Sequence, residues 1–345
     1  KSRTANGNTI DYFRVDTVKH VENTTWMAFK NELTKEMPQF QLIGESWGAH
    51  INDDQGYLNN GMMDSLLDFD FKNYARDFAN GQLETVQTRL ENRNSKLSNT
   101  ATFGQFLGSH DEDRFLTLVD GDLGKYQVAA SLQITSKGQP VIYYGEELGL
   151  PGENDYPYYT NRPNMPWVEV EGNEVLEHYQ KLLAFRNTNS QIFAKGDRQK
   201  IAGSDRDKYL MFSRTYNDEH VLVGLNVDNT EKQVALHFGS SNTVVTDHYA
   251  NKTYTASEEG TVTIPIPAKE DGGTVLLTFN GDELPVPLPN DAGDIGENTL
   301  RIHYQRTDNS YENLGLWLWG DVQTPSDNWP SGGTPFSPNN VTDYG

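Results

Sequence analysis

Short apolar runs alternate with stretches of helical periodicity over about the first 150 residues of the chain. The apolar runs predict five strands, at residues 9–15, 40–44, 62–69, 103–107 and 140–144. Thr24 is the predicted N-cap of the first of four helices, which lie at residues 24–37, 83–97, 125–136 and 174–187. Because strands alternate with helices, the pattern predicts a parallel sheet, either closed into a barrel or doubly wound.

After Ile192 the pattern changes to strict alternation of apolar and polar residues, with Asn, Asp and Gly at the turns. This alternation is typical of an antiparallel β-domain. An acidic, proline-rich stretch at residues 282–294 predicts a semi-rigid linker. The predicted domains are therefore a first domain, a β-domain, a linker and a last segment, at residues 1–191, 192–280, 281–298 and 299–345.

Length and composition limit the number of domains and the kinds of partner. The 345 residues exceed what one hydrophobic core usually serves, so at least two domains are expected. The net charge of −21 repels phosphate backbones and anionic lipid, so we expect no nucleic-acid partner and no membrane partner. The chain has no cysteine, which excludes disulfides and thiolate ligands.

Carboxylates follow three of the predicted strands. Asp16 ends the first strand, Glu45 ends the second, and Asp111 follows the fourth. A single carboxylate at a strand end is more often a cap or a loop hydrogen-bonder than a catalyst. Three such endings in one domain favour an active site, because the C-terminal ends of parallel strands meet at one edge of a sheet.

The neighbours of two of these carboxylates predict different protonation states. Arg14 lies two residues before Asp16, on the same face of the strand, and a guanidinium lowers a carboxyl pKa. Trp47 follows Glu45, and an apolar wall raises a carboxyl pKa. One charged and one protonated carboxyl group is the arrangement for retaining glycoside hydrolysis. The alternative for Arg14 is a purely structural ion pair.

Three segments together resemble signature regions of the α-amylase family, glycoside hydrolase family 13. They read Phe-Arg-Val-Asp-Thr-Val-Lys-His, Gly-Glu-Ser-Trp and Phe-Leu-Gly-Ser-His-Asp, at residues 13–20, 44–47 and 106–111. The resemblance implies strands four to eight of a (β/α)8 TIM barrel, followed by an antiparallel β-sandwich. It implies Asp16 as nucleophile, Glu45 as acid/base and Asp111 as transition-state stabiliser.

The same resemblance implies roles for the neighbouring residues. Arg14 and His110 would contact the sugar in subsite −1, and Lys19 and His20 would face the aglycone, with Trp47 also binding substrate. A packed or capping role is the alternative for His20. Calcium is implied too, with the backbone carbonyl of His20 as one ligand and the other ligands upstream of the first residue.

Strands one to three and the family's first signature are absent from the sequence. A barrel of five strands leaves raw edges and an open core, so we expect residues 1–345 to need the N-terminal part of the barrel, supplied on a longer polypeptide or by a separate chain. Neither end of the sequence carries a start or stop signature, and no signal peptide is present, so we expect a piece of a longer protein. The resemblance implies that this longer protein is bacterial and secreted.

The last segment resembles the start of the pullulanase-associated starch-binding module, carbohydrate-binding module family 41, a partial β-sandwich. In a strand Trp317 and Trp319 would share one face, and flat indoles suit the apolar face of glucose. Asp321 would accept hydroxyl hydrogen bonds. By resemblance Trp319 and Trp329 are the stacking pair, with core packing as the alternative for at least one tryptophan.

The favoured function is hydrolysis of α-1,4 bonds in starch and related α-glucans, by an α-amylase. The pair Lys19 and His20 carries this preference, because it looks more like α-amylases than debranching pullulanases. The terminal module favours the alternative, a neopullulanase, amylopullulanase or cyclomaltodextrinase acting on pullulan or cyclodextrins. A non-catalytic glucan-binding protein is the alternative of another class.

Overall fold

The computed structural model describes residues 5–58, 60–97 and 102–288, and in the C-terminal part residues 302, 304, 306, 314–320, 322–329 and 332–336. The chain divides into two compact units, Lys1–Pro287 and Leu288–Gly345. Each unit is described by itself. Among the described residues, no helix has the length and apolar character that crossing a bilayer requires.

A five-stranded parallel sheet forms the first part of the larger unit. Its strands lie side by side in chain order, and they are β1 Tyr12–Val15, β2 Gln41–Gly44, β3 Ser65–Asp68, β4 Thr102–Phe106 and β5 Gln139–Val141. The parallel sheet is the one predicted. Strand β3 is shorter than its apolar run, because Met62 and Met63 pack into the core beside the sheet instead of pairing in it.

Seven α-helices accompany the strands in the described part of the chain. They are α1 Asn23–Glu36, α2 Phe71–Ala79, α3 Leu83–Lys96, α4 Phe115–Leu118, α5 Leu123–Thr135, α6 Glu174–Thr188 and α7 Ser190–Lys195. Helix α1 begins earlier than predicted: its N-cap is Glu22, whose carbonyl accepts from the backbone N–H groups of Thr25 and Trp26, so Thr24 lies inside the helix.

Both faces of the parallel sheet are apolar, because side chains alternate along each strand. Leu42, Leu66 and Phe103 pack on one face with apolar residues of α1. Ile43, Leu67 and Phe106 form a smaller cluster on the opposite face. In the described residues β1 and β5 are the two edges of this sheet, so the sheet is not closed into a barrel here.

The second part of the larger unit is a β-sandwich. The strands are β6 Asp197–Ser204, β7 Tyr209–Tyr216, β8 Glu219–Asn226, β9 Lys232–His237, β10 Val244–Asp247, β11 Lys252–Thr255, β12 Thr261–Ile266, β13 Thr274–Phe279 and β14 Val286–Pro287. They form a six-stranded sheet, β11-β10-β13-β8-β7-β6, and a three-stranded sheet, β12-β9-β14. Strand β14 lies within the predicted linker, so that prediction is wrong at residues 286–287: pairing with β9 extends the sandwich.

Strand β7 joins the sandwich to the helices. Leu210 and Phe212 belong to the core that contains α5 and α6, whereas Tyr209 and Met211 belong to the core of the sandwich. Arg214 on the same strand is fully buried and donates to carbonyl groups of Thr135, Ile192, Phe193 and Gly196. The β-sandwich therefore packs against helices α5, α6 and α7 through strand β7.

In the second unit β15 (Gly315–Leu316) pairs with β16 (Thr334–Pro335). The prediction that Trp317 and Trp319 share one face of a strand is wrong, because β15 ends at Leu316. The ring of Trp317 instead contacts that of Trp329 at nearly a right angle, with 4.9 Å between ring centroids.

Candidate active site

The pairing of β1 with β2 brings Asp16 next to Glu45. Val15 is in register with Gly44, and the ladder continues past both strands, since the N–H of Glu45 donates to the Val15 carbonyl at 2.7 Å. Thr17 then takes a left-handed conformation, with φ 50°, and its N–H donates to Oε2 of Glu45 at 3.3 Å. Two carboxylates that are 29 residues apart in sequence thus meet at one strand edge.

Arg14 connects the two carboxylates. Its Nη1 donates to Oδ1 of Asp16 at 2.5 Å, and its Nη2 lies 2.7 Å from Oε1 of Glu45. The side chain of Glu45 is only 10% exposed, whereas that of Asp16 is 61% exposed. The buried carboxyl group and the open one share a single cation.

The two carboxyl groups differ in acidity. The pKa of Asp16 is lowered, first by a hydrogen bond from Glu45 and then by the hydrogen bond from Arg14. The pKa of Glu45 is raised, first by burial and then by its hydrogen bond to Asp16. The directions agree with the sequence prediction. The second cause for Glu45 is Asp16 itself, which the residues beside Glu45 in sequence do not reveal.

Asp111 lies in the loop between β4 and α4. Its Oδ2 is 3.1 Å from Nε2 of His110, and its Oδ1 accepts from Nη2 of Arg162 at 3.1 Å. Arg162 comes from the long loop after β5. Its guanidinium also lies over the ring of Tyr159, 4.6 Å from the ring centroid.

A cleft of about 430 Å³ unites the candidate residues of the larger unit. Asp16, Glu45 and Asp111 all line it, and the other lining residues are Thr17, Lys19, His20, Trp47 and His110. Arg14 reaches the cleft through its contacts with Asp16 and Glu45. All eight candidates predicted for this part of the chain therefore lie at one site.

The surroundings decide against a packed role for His20 and show how Trp47 and Lys19 are held. His20 is exposed in the cleft and does not pack in a core. Trp47 is 47% exposed, with its ring against that of Phe69 at 5.0 Å between centroids. Lys19 donates from Nζ to the Trp47 carbonyl at 3.2 Å, which ties the β1 loop to the β2 loop.

The remaining candidates belong to the second unit. Trp319 and Trp329 are each 75% exposed, and Trp317 is half-buried against Trp329. This arrangement leaves two indole faces open for stacking. Asp321 lies outside the described residues.

The calcium prediction finds no ligand set in the described part of the chain. No three His, Asp or Glu side chains come together there in a way that could hold a metal ion. His20 ends a single 3₁₀ turn, Val18–His20, and a lone backbone carbonyl is far short of the six to eight oxygens that calcium takes. These residues by themselves do not fit a calcium ion.

Sequence reasoning gave no role to Thr17 or Arg162, although both touch a catalytic candidate. Thr17 lies inside the first signature segment, and only its left-handed backbone turns its N–H toward Glu45. Arg162 opens the segment Arg-Pro-Asn-Met-Pro-Trp at residues 162–167. This segment resembles the loop that follows the eighth strand of the barrel in the α-amylase family, and that resemblance is the signal that could have found Arg162.

Comparison with known proteins gives the family. The family described as "Alpha amylase, catalytic domain" matches residues 5–233, and the "Bacterial pullanase-associated domain" matches residues 298–345. The chain therefore belongs to the α-amylase family, glycoside hydrolase family 13, and carries the start of a pullulanase-associated module. This membership agrees with the carboxylate site and the parallel sheet.

Individual relatives cover the chain in part. Neopullulanase 2 of Thermoactinomyces vulgaris is 32% identical over 233 residues, which are 66% of this chain and 38% of that protein. The amylopullulanase of Thermoanaerobacter thermohydrosulfuricus is 25% identical over 325 residues, covering 81% of this chain and 21% of that protein. An Anoxybacillus α-amylase structure has a TM-score of 0.63 at 25% identity, covering 77% of this chain and 58% of that one. The chain thus spans well under half the length of these curated relatives.

Removing the charge of Arg14 should shift the pH profile of activity. In an Arg14→Met variant of the full-length protein, the pKa of Asp16 and that of Glu45 both rise, because the cation stabilises both ionised forms. With Asp16 as the predicted nucleophile and Glu45 as the predicted acid, the acidic limb would report protonation of Asp16 and the basic limb ionisation of Glu45, so both limbs should move to higher pH. Profiles of kcat/KM measure this. A Lys30→Met variant, which removes a cation paired with Asp64, is the matched control and should leave both limbs in place.

Proposed function

We propose that the protein hydrolyses α-1,4-glucosidic bonds with retention of configuration, acting on pullulan or cyclodextrins in preference to starch. The single observation that supports the reaction is the cleft in which Arg14 bridges Asp16 and Glu45 and which Asp111 also lines. The substrate preference is drawn from the relatives and from the pullulanase-associated module.

The two carboxylates divide the work in the first half of the reaction. Asp16, ionised and open to the cleft, attacks the anomeric carbon and forms a glycosyl ester. Glu45, whose pKa is raised by burial, donates a proton to the departing glycosidic oxygen as the C–O bond breaks. Glu45 then carries the negative charge that Asp16 has lost, and Arg14 contacts both groups throughout.

In the second half Glu45 takes a proton from a water molecule, and the resulting hydroxide attacks the anomeric carbon. The ester bond to Asp16 breaks, and both carboxyl groups return to their starting states. Asp111 would bind sugar hydroxyls more tightly as the ring flattens toward an oxocarbenium ion. His110 and Arg162 flank its carboxylate and orient it.

Retention is supported by how close the two carboxyl groups are. Asp16 and Glu45 both contact the guanidinium of Arg14, at 2.5 Å and 2.7 Å. An inverting enzyme keeps its carboxyl groups about 6.5–9.5 Å apart to admit a water molecule between base and sugar. A compact pair that shares one guanidinium favours instead the spacing of about 5–5.5 Å of retaining enzymes, in which the ionised carboxylate, here Asp16, serves as nucleophile.

The preference for pullulan or cyclodextrins replaces the starch preference that the sequence favoured. Lys19 and His20, which favoured starch, are exposed in the cleft. The similarity to relatives named neopullulanase and amylopullulanase is the stronger support for a substrate preference. Secretion and calcium binding stay predictions. Any calcium would need ligands beyond the described residues, and no step above depends on it.

Replacing Asp16 with Asn in the full-length protein should reduce kcat by at least about 10³-fold, because the amide cannot form the ester. Binding of maltotriose or pullulan, followed by calorimetry, should persist. An Asp11→Asn variant removes the same charge just before β1 and should leave kcat unchanged. Hydrolysis at the normal rate by the Asp16 variant would refute the assignment.

The substrate preference predicts a higher kcat/KM on pullulan or β-cyclodextrin than on amylose. Reducing-sugar release from the three substrates at equal glucose concentration measures it. A clear preference for amylose would restore the starch assignment. No hydrolysis of any of the three by a correctly folded full-length protein would instead favour a non-catalytic glucan-binding protein.

We also propose that strands supplied from outside residues 1–345, on the same polypeptide or on a separate chain, complete the barrel. The support is the small apolar cluster of Ile43, Leu67 and Phe106 on one face of the sheet, together with the open edges β1 and β5 among the described residues. Residues 1–345 expressed alone should bind a hydrophobic dye and show no hydrolysis. Cooperative unfolding together with pullulan hydrolysis by this span would overturn the proposal.

A further inference from the structure

The loop that carries Asp111 has no regular structure of its own. It runs from the end of β4 at Phe106 to the start of α4 at Phe115, and the side chain of Asp111 is 39% exposed. Backbone carbonyls in such a loop need donors, since unpaired ones near the interior are costly. The position of the Asp111 carboxylate therefore depends on what binds these carbonyls.

The long loop after β5 supplies the donors. Nδ2 of Asn161 donates to the carbonyls of His110 and Glu112, both at 2.9 Å, and lies 3.5 Å from that of Ser109. Nδ2 of Asn154 donates to the carbonyl of Asp111 at 2.8 Å. Three successive carbonyls, from residue 110 to residue 112, thus bind two asparagine side chains of one neighbouring loop.

Asn161 is the better anchored of the two asparagines. It is fully buried, its N–H donates to the Glu153 carbonyl at 3.0 Å, and its own carbonyl accepts from Nε of buried Arg114 at 2.9 Å. The orientation of its amide follows from chemistry: the facing atoms are carbonyl oxygens, which only accept, so the NH₂ group must face them. Among the residues that the structure describes, Oδ1 of Asn161 has no hydrogen-bond partner.

We propose that Asn161 is a positioning residue for the reaction: its buried amide holds the backbone on both sides of Asp111, and so sets where the carboxylate of Asp111 and the imidazole of His110 meet the sugar. The proposal rests on the proposed function, because it requires Asp111 to act on a bound glycosyl unit. Arg162 contacts the Asp111 carboxylate as well as the His110 carbonyl, whereas Asn161 acts only through the backbone. A displacement of about 1 Å at a reacting group can lower the rate about 10²-fold.

The first test is Asn161→Asp in the full-length protein. The shape is kept, but the donor that faces two carbonyls becomes an acceptor. The expected result is a fall in kcat of about 10²-fold with KM changed by less than about threefold, since the loss falls on the transition state. A kcat within about twofold of wild type would overturn the proposal.

Asn226 provides a matched control. It too is fully buried, and its Nδ2 donates to the carbonyls of Thr230 at 2.8 Å and Pro267 at 2.9 Å and lies 3.4 Å from that of Ile266, within the β-sandwich. An Asn226→Asp variant loses an equivalent set of bonds far along the chain from the site. Its melting temperature should fall while kcat stays normal. If in both variants the loss of kcat is proportional to the fall in melting temperature, Asn161 has only a structural role.

A double-mutant cycle with Asp111→Asn separates positioning from general stability. If Asn161 acts through Asp111, the Asn161→Asp change should cost much less in the Asp111→Asn background than in wild type. Multiplicative effects would contradict the proposal. The activated substrate α-maltosyl fluoride keeps the slow variants measurable, since fluoride leaves with little need of a proton.

Two further variants keep the outcomes distinct. Should Asn161→Asp fail to fold, Asn161→Ser retains one hydroxyl donor and should show an intermediate kcat; a normal kcat in that variant would overturn the proposal. Asp16→Asn tests the proposed function separately. If the Asp16→Asn variant is active, the proposed function is refuted. If Asp16→Asn is inactive and Asn161→Asp has a normal kcat, only the positioning role of Asn161 is refuted.

Discussion

The parallel register of β1 and β2 is the constraint on which the site depends. Because Val15 pairs with Gly44, the next residue of each strand is a carboxylate, and the two emerge side by side. Arg14 then contacts a buried Glu45 and an open Asp16 at once. A slip of one residue would turn Asp16 to the opposite face of the sheet and leave Glu45 without its partner.

The difference between the two carboxyl groups arises from position and not from residue type. Burial raises the pKa of Glu45, whereas hydrogen bonds from Glu45 and Arg14 lower the pKa of the exposed Asp16. In the proposed mechanism the acid is therefore the group that the fold encloses, and the nucleophile is the group that the strand edge leaves open. The third carboxylate, Asp111, depends on loops, and those loops are held by donors from Asn154, Asn161 and Arg162.

The strands of the parallel sheet, four of the seven described helices and the catalytic candidates were predictable from sequence. Each of these depends on residues within about ten positions of one another. Period-two and period-3.6 patterns arise from local geometry. Helix α2, Phe71–Ala79, was missed although Phe71, Ala75 and Phe78 lie on one helical face. Strand β14 was also missed: Val286 and Pro287 form a strand only because β9 offers an edge.

Sequence alone determined the family, the three carboxylates and their order at the ends of parallel strands, since the signature segments are contiguous. Tertiary structure alone decided that Thr17 turns its N–H to Glu45, that Arg162 reaches Asp111, and that Asn161 holds the loop from 49 residues away. The physical reason is the same in each case. A hydrogen bond across a fold depends on where two distant backbones meet, and no local pattern of hydrophobic and polar residues encodes that meeting.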